Sequence, residues 1–309
     1  MKNGIFDTSS IIYLQNKNVD RAKWNRCIDT ATNGLIYGYS FYLDAMSKHW
    51  DALVMNDYEV VMPLTWNKKY GIYYLYQPFS CAALGVFGDV SEEVVNIFLN
   101  KIPKRFKYWD IYLNTTKLLP AKQFTISKRI NYTLDLNNSY QILYNNFRNS
   151  YKQIINKNAI NGLEVKQNIN VKEITFNAQK TFKKVSNVKE DDIDKFEHLY
   201  KLLFEKKKAI NYGVYLKNKL LASGIFFFSH NRAYYVLAGN TEEGRQLGAS
   251  HIVLNTFIEQ HAERRMILDF EGSNVPGIAF FFKGFGALPE EYRGLKYNAL
   301  PLILKKFKK

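Results

Sequence analysis

Two short stretches near the end of the chain carry residues suited to acyl-group chemistry. In Ile267-Leu268-Asp269-Phe270-Glu271, two carboxylates stand at alternate positions of a strand-like run, which would turn both to one face. Asp269 or Glu271 would then take a proton from an attacking amine while the other orients it. Lys283 follows the apolar run Ile278–Phe282, and an ammonium drawn partly into such surroundings would stabilise a tetrahedral oxyanion or a phosphate. Each has a structural alternative. Asp269 would serve as a plain hydrogen-bond acceptor, as Asp110 would in Tyr108-Trp109-Asp110-Ile111, and Lys283 would snorkel at a helix end. Tyr235, Tyr292 and Tyr297 are acid candidates, but 22 tyrosines leave no ground for choosing one.

A third stretch, Ala238–His251, contains Gly244-Arg245-Gln246-Leu247-Gly248-Ala249-Ser250 directly before an apolar periodic run, Ile252, Leu254, Phe257 and Ile258. A helix start leaves backbone N–H groups unpaired and carries partial positive charge, so small residues there let a pyrophosphate come close. Gly248, Ala249 and Ser250 would give that access, flanked by Arg245 and Gln246. Glycine at such a junction also serves backbone freedom alone. The five histidines (His49, His198, His230, His251, His261) show no metal-ligand spacing, and no metal site is expected. His251 reads as a capping or solvent-facing residue. Cys27 and Cys81 read as buried thiols in a reducing compartment.

These residues need a scaffold, and the chain shows one twice. Ala52–Pro78 lies without gaps on Gly213–Gly239, each a three-strand meander ending in an aromatic strand. Tyr73-Tyr74-Leu75 falls in register with Tyr234-Tyr235-Val236. Turns are expected at Asn56-Asp57 and Asn67–Lys69 in the first copy, and at Lys217-Asn218 and Ser229–Arg232 in the second. Helices precede the meanders at about 20–31 and 41–47, and at about 140–158 and 191–206. After each meander come a helix, about 91–102 or 244–263, and a strand with an acidic residue inside it. The expected fold class is α/β (α+β), in two halves of mixed, mostly antiparallel sheet flanked by helices, divided at 137/138. In the first half the loop Leu84–Ser91 offers Asp89 and nearby glutamates, which would repel a phosphate, so only residues 138–309 would hold a donor. The first half would shape the acceptor side.

A length of 309 residues fits two domains, with 47% hydrophobic residues to fill them. No apolar run approaches the roughly 20 residues of a membrane span. The start, Met1–Asp7, lacks a signal-peptide pattern, so a cytoplasmic location is expected. Of the formal charge of +15, residues 1–137 carry +4 and residues 138–309 carry +11. Arg148–Lys189 holds nine basic residues against Glu164 and Glu173, which would draw phosphate-rich partners or form a solvated face. A non-catalytic RNA-binding protein is therefore the competing functional reading, although no stacking platform accompanies the charges.

The motifs taken in order resemble a known family. Asp269-Phe270-Glu271-Gly272-Ser273, Pro276-Gly277 and Phe281-Phe282-Lys283-Gly284-Phe285-Gly286 are similar to the tail of FemABX-like transferases in the GNAT (acyl-CoA N-acyltransferase-like) superfamily. Tyr132–Leu136 with Phe147–Ala159 resembles the strand and basic helix that open that family's second half, and Arg245-x-x-Gly248-x-Ser250 is similar to the superfamily's acetyl-coenzyme A loop, with serine at its last position. The resemblance implies transfer of an acyl or aminoacyl group, from acyl-CoA or aminoacyl-tRNA as co-substrate, to a peptide-like or small amine acceptor such as a cell-envelope (peptidoglycan) precursor. It implies charge stabilisation at the reaction centre by Lys283, no tightly bound cofactor, tRNA as a partner, and association with a membrane surface. The long coiled-coil arm of some Fem proteins has no counterpart here. A degenerate scaffold that binds without turnover is a third reading.

Overall fold

The computed structural model describes residues 11–116, 122–158, 162–182, 188–271 and 274–301. Met1–Asp7, Ala159, Lys183, Lys184, Gly272 and Ser273, all used above, lie outside the described residues. The chain divides into two compact units, Met1–Arg129 with Glu291–Lys309, and Ile130–Glu290. The division expected at 137/138 thus falls eight residues earlier, and the C-terminal strand returns to the first unit.

The first unit begins β1 (Ile11–Gln15), α1 (Arg21–Thr30), α2 (Ser40–Met46), β2 (His49–Met55), β3 (Val60–Lys69), β4 (Ile72–Tyr76), α3 (Glu92–Lys101) and β5 (Phe106–Leu113). Asp20 caps α1 by accepting from the Ala22 and Lys23 amides, and Ser91 caps α3 ahead of Glu92 and Glu93. Strands β1 to β4 pair antiparallel in order, and β5 joins β4 in parallel. The turn expected at Asn67–Lys69 lies instead at Tyr70-Gly71, both at positive φ. Lys68 and Lys69 extend β3 by pairing with Tyr73 and Ile72 of β4, their ammonium groups lying near the Tyr73 and Tyr70 rings.

The second unit begins within β6 (Phe124–Asp135) and continues α4 (Tyr140–Asn145), α5 (Asn149–Asn158), β7 (Glu164–Gln167), α6 (Val171–Phe182), α7 (Glu190–Glu205), β8 (Ala209–Leu216), β9 (Lys219–Ser229), β10 (Arg232–Asn240), α8 (Glu242–Gln246), α9 (Ala249–His261), β11 (Ile267–Asp269) and α10 (Pro276–Lys283). The strand order is β6-β11-β10-β9-β8-β7. Only β10 and β11 pair in parallel, so the meander β8-β9-β10 and its returning strand repeat the pattern of the first unit. Positive φ at Lys217-Asn218 and His230-Asn231 makes the two hairpin turns expected there. On one face Phe226 stacks on Phe257 of α9 at 3.8 Å and on Tyr235 at 4.9 Å. On the other, Phe227 stacks on Phe196 of α7. Finally β12 (Leu288–Asn298) pairs Arg293–Asn298 antiparallel with β5 in the first unit.

Two helices expected as single rods are each broken. The run 140–158 splits between α4 and α5, where the Arg148 amide donates to the Gly284 carbonyl at 2.8 Å. The run 244–263 splits between α8 and α9 at Gly248, whose φ of 69° only glycine takes without strain. Among the described residues no helix is long and apolar enough to cross a membrane.

Candidate active site in the second unit

The donor loop is more closed than its small residues suggest. A Cβ on Gly248 would sit 2.5 Å from Ile154 Cγ2 of α5, and one on Gly244 would sit 2.4 Å from the Leu221 carbonyl oxygen. Ala249 is fully buried, and Ser250 Oγ accepts from Asn240 Nδ2 at 2.7 Å. The glycines therefore let the loop pack closely against β9 and α5. Arg245 and Gln246 remain exposed, with Arg245 paired to Glu242 and donating to the Asn240 carbonyl. His251, read as capping or solvent-facing, is drawn inward against the helix start. Its ring meets Tyr151 edge-on at 4.3 Å and Phe281 at 4.9 Å, and Nδ1 lies 3.1 Å from the Gly248 carbonyl. Burial pushes its pKa below the usual value, which favours the neutral ring.

Asp269 ends β11 opposite Thr133 and beside Tyr234. Its carboxylate is already engaged: Oδ2 with Arg232 Nη1 at 2.6 Å, Oδ1 with Asn131 Nδ2 at 2.9 Å and with the Glu271 amide at 2.8 Å. Arg232 also meets Glu290 at 3.1 Å. Burial disfavours the charged guanidinium, yet the two carboxylates outweigh it and hold its pKa above the ordinary value. The expectation that Asp269 and Glu271 share a strand face does not hold. The strand stops at Asp269, and Glu271 takes a left-handed φ of 59° that turns the chain away.

Lys283 closes α10 and is exposed, where partial burial was expected. Its ammonium faces the Tyr132 ring at 5.6 Å. Tyr132 follows Asn131, and its carbonyl accepts from the Phe270 amide. Phe270 and Phe282 stack at 4.6 Å, so the residues next to Glu271 and Lys283 touch. Asp269, with the Glu271 amide, thus lies by Asn131 of the second unit's β6 segment, while Lys283 stands by the ring of the next residue, Tyr132. Gly284 is required just after Lys283, because a Cβ there would fall 2.1 Å from the Tyr151 ring of α5. Helix α5 therefore ties the α9 start to the α10 end, through Ile154 on one and Tyr151 on the other.

The pairing of β10 with β11 ends at Tyr234↔Asp269, and the β9–β10 ladder shifts register between Tyr235 and Leu237. A bulge re-aims the strand where its neighbour stops, a placement common beside active sites. The Tyr235 hydroxyl is pushed up in pKa by burial, which keeps it protonated. Sequence reasoning did not find Arg232, Asn131 or Ile154. Arg232 was counted as a turn residue, and its one sequence signal is a cation opening an otherwise apolar strand.

The equivalent place in the first unit is filled by the chain itself. Beyond Tyr76↔Asp110, Gln77 accepts from the Tyr112 amide and donates to the Cys81 carbonyl, while Leu84 bridges to Leu113 and Phe87 to Val61. That segment lies along β5, where Gln77, Leu84, Gly85 and Tyr112 line a small cavity of about 10 Å³. Cys27 and Cys81 are buried thiols outside any disulfide.

No protein-family model matches the sequence, and no curated protein matches it. Solved structures do match in fold. FemX superposes with a TM-score of 0.69 at 14% identity, over 96% of this chain and 99% of that one. A conserved protein of unknown function from Bacteroides thetaiotaomicron VPI-5482 gives 0.60 at 12% identity, over 90% and 96%. L-PGS from Bacillus licheniformis gives 0.55 at 11% identity, over 93% and 95%. The likeness to FemX thus holds for the fold along nearly the whole chain.

Proposed function

We propose that the chain is a Fem-like transferase that moves an aminoacyl group from an aminoacyl ester of RNA to an amine acceptor, with a cell-envelope precursor peptide as the acceptor class. The observation that carries this reading is Lys283, an ammonium at the end of α10 facing the Tyr132 ring beside the braced end of β11. In the step, the acceptor nitrogen attacks the donor carbonyl carbon, and an amide C–N bond forms as the ester C–O bond breaks. The amine proton leaves to Glu271 or through water, and the ribose oxygen takes up a proton as it departs. Lys283 stabilises the oxyanion between these events. Asp269 acts as a positioning residue, holding Arg232 and the turn that carries Glu271.

Ile154 packs against Gly248 on its Cβ side, and a loop held this closely by protein atoms leads us to favour the RNA ester over acyl-CoA. On this reading Arg245 and Gln246 keep the donor-facing role, and Gly248, Ala249 and Ser250 set the shape of the loop.

Lys283→Ala should abolish transfer while leaving the melting temperature unchanged. An active variant removes the assignment. Coenzyme A at micromolar levels should not raise the melting temperature, whereas charged tRNA should bind, and stabilisation by coenzyme A would reverse the choice of donor. Steeply salt-dependent RNA binding with no acyl product would support the non-catalytic reading.

A further inference from the structure

Four aromatic rings from three parts of the second unit close into one cluster beside Lys283. Tyr151 comes from α5, His251 from the first turn of α9, Phe281 from α10 and Phe285 from the turn just after it. His251 lies 4.3 Å from Tyr151, 4.9 Å from Phe281 and 6.0 Å from Phe285 between ring centroids. Tyr151 lies 6.0 Å from Phe281 and 5.1 Å from Phe285, and those two are 5.4 Å apart. Every pair in the cluster is therefore in aromatic contact. Phe281 and Phe285 stand on either side of Lys283 in the chain, so the cluster holds the stretch that carries the ammonium. The Tyr151 hydroxyl adds a bond to the Phe281 carbonyl at 3.3 Å.

His251 is the member of this cluster that can change its charge near neutral pH. Tyr151 cannot, because burial raises its pKa further above neutrality. The Gly248 carbonyl accepts from the His251 amide at 2.9 Å and lies 3.1 Å from ring Nδ1. A carbonyl only accepts, so the neutral ring carries its proton on Nδ1, and a second proton would join Nε2. The surroundings work against that second proton. Helices α5 and α10 bring no carboxylate; their charged residues are Lys152, Lys157 and Lys283. Arg148, just before α5, lies 5.3 Å from the Tyr151 ring and covers Phe280 at 3.7 Å. The strands β8 and β9 and helix α4, which also pack on α9, carry no carboxylate either. On α9 itself the one carboxylate is Glu259, two turns further along, and Glu242 and Glu243 of α8 are paired with Arg245 and Lys219. The unpaired amides at the start of α9 add partial positive charge. Burial first of all keeps the ring neutral, in line with its lowered pKa.

We propose that neutral His251 is a positioning residue that clamps the end of α10, and with it Lys283, against α5 and the donor loop, and that protonation of its ring opens the clamp. This rests on the transferase reading only for the task of Lys283. The clamp itself is tested without donor or acceptor.

The test is hydrogen exchange of the whole chain, read by mass spectrometry at about pH 7.5 and about pH 5.5 and corrected for the intrinsic rate. Its reporters are the amides of Gly284, Phe285 and Gly286, which donate to the Phe280, Phe282 and Lys283 carbonyls when the clamp is closed. A ring whose pKa returns to about 6.5 on opening can favour the open form by at most about tenfold at the lower pH, and hardly at all at the higher. Wild type should therefore lose about threefold to tenfold in protection over 280–286 on acidification, while β3 of the first unit stays unchanged. His251→Phe keeps a ring but gains no proton, so its protection should be the same at both pH values. Should that variant fail to fold, His251→Asn can still donate to the Gly248 carbonyl but neither fills the cluster nor titrates, and its protection should be low at both. His261→Gln should keep the acid response, because His261 stacks on Phe257 at the far end of α9. A wild type without the acid response overturns the proposal. So does a response that survives in His251→Phe or His251→Asn, or one that disappears in His261→Gln. The stated exchange pattern in a chain that transfers nothing would keep the clamp and remove the transferase reading, so the two claims fail separately.

Discussion

At the scale of single residues, the structure separates three carboxyl and amine groups that look alike in sequence. Asp269 has both oxygens engaged, and its removal leaves the buried Arg232 with Glu290 alone as its carboxylate partner. Asp269→Ala should therefore cost about 1–3 kcal/mol in urea unfolding, as for a lost hydrogen bond to a buried charge, and lower transfer by loosening the strand end. Glu271→Gln should instead leave stability within about 0.5 kcal/mol and lower transfer, with the acidic limb of the pH–rate profile lost because the base that produces it is gone. If Asp269→Asn kept full stability yet removed the acidic limb of the pH profile, the two roles would be exchanged. Lys283 stands out in sequence only through the order of the motifs around it, and the structure leaves it exposed at a helix end. Arg148 was legible only as one of nine basic residues between 148 and 189, since what distinguishes it is the Phe280 ring 132 residues away. Arg232 was hidden for the same reason: both its carboxylate partners are distant in sequence.

At the scale of elements, the meanders could be read because strand alternation and turn residues are local signals. The helix breaks could not. Whether the chain bends at Arg148 depends on the Gly284 carbonyl arriving from α10, and the closure of the donor loop depends on Ile154 arriving from α5. A glycine in sequence states that something comes close without saying what. Gly248→Ala joins an unfavourable φ to a 2.5 Å clash, so it should destabilise the unit by about 1–3 kcal/mol in denaturant midpoint analysis. A variant as stable as wild type would mean that Ile154 does not pack there. Helix α9 also sets a pH dependence. Its His251 and His261 both have pKa values lowered, first by burial, so the unfolded chain binds protons that the folded chain does not. Their contribution to stability is complete above the unfolded value of about 6.5 and is lost as pH falls through the lower folded values. Thermal unfolding should show the melting temperature falling between pH 7 and pH 5, and less steeply in His261→Gln; a flat profile in the wild type would contradict it.

At the scale of the whole molecule, a single architecture occurs twice and is put to different use. In one unit the chain after the meander fills its own sheet edge; in the other it becomes a loop, a helix start and a strand end beside Lys283. The fold could be anticipated from the repeat and the order of motifs, and the match to FemX over 96% of the chain agrees with it. The strongly positive second part, +11 of the +15, suits an RNA donor, and association with tRNA should weaken linearly in log–log form as salt rises. The central claim is most directly tested by incubating the purified chain with tRNA charged with radiolabelled amino acids and a nucleotide-linked peptidoglycan-precursor peptide, then following label into the peptide. The account predicts an amide-linked, labelled product with the wild type and a fall in rate of about 10²–10³ or more with folded Lys283→Ala. Label transferred equally well by both proteins would contradict it.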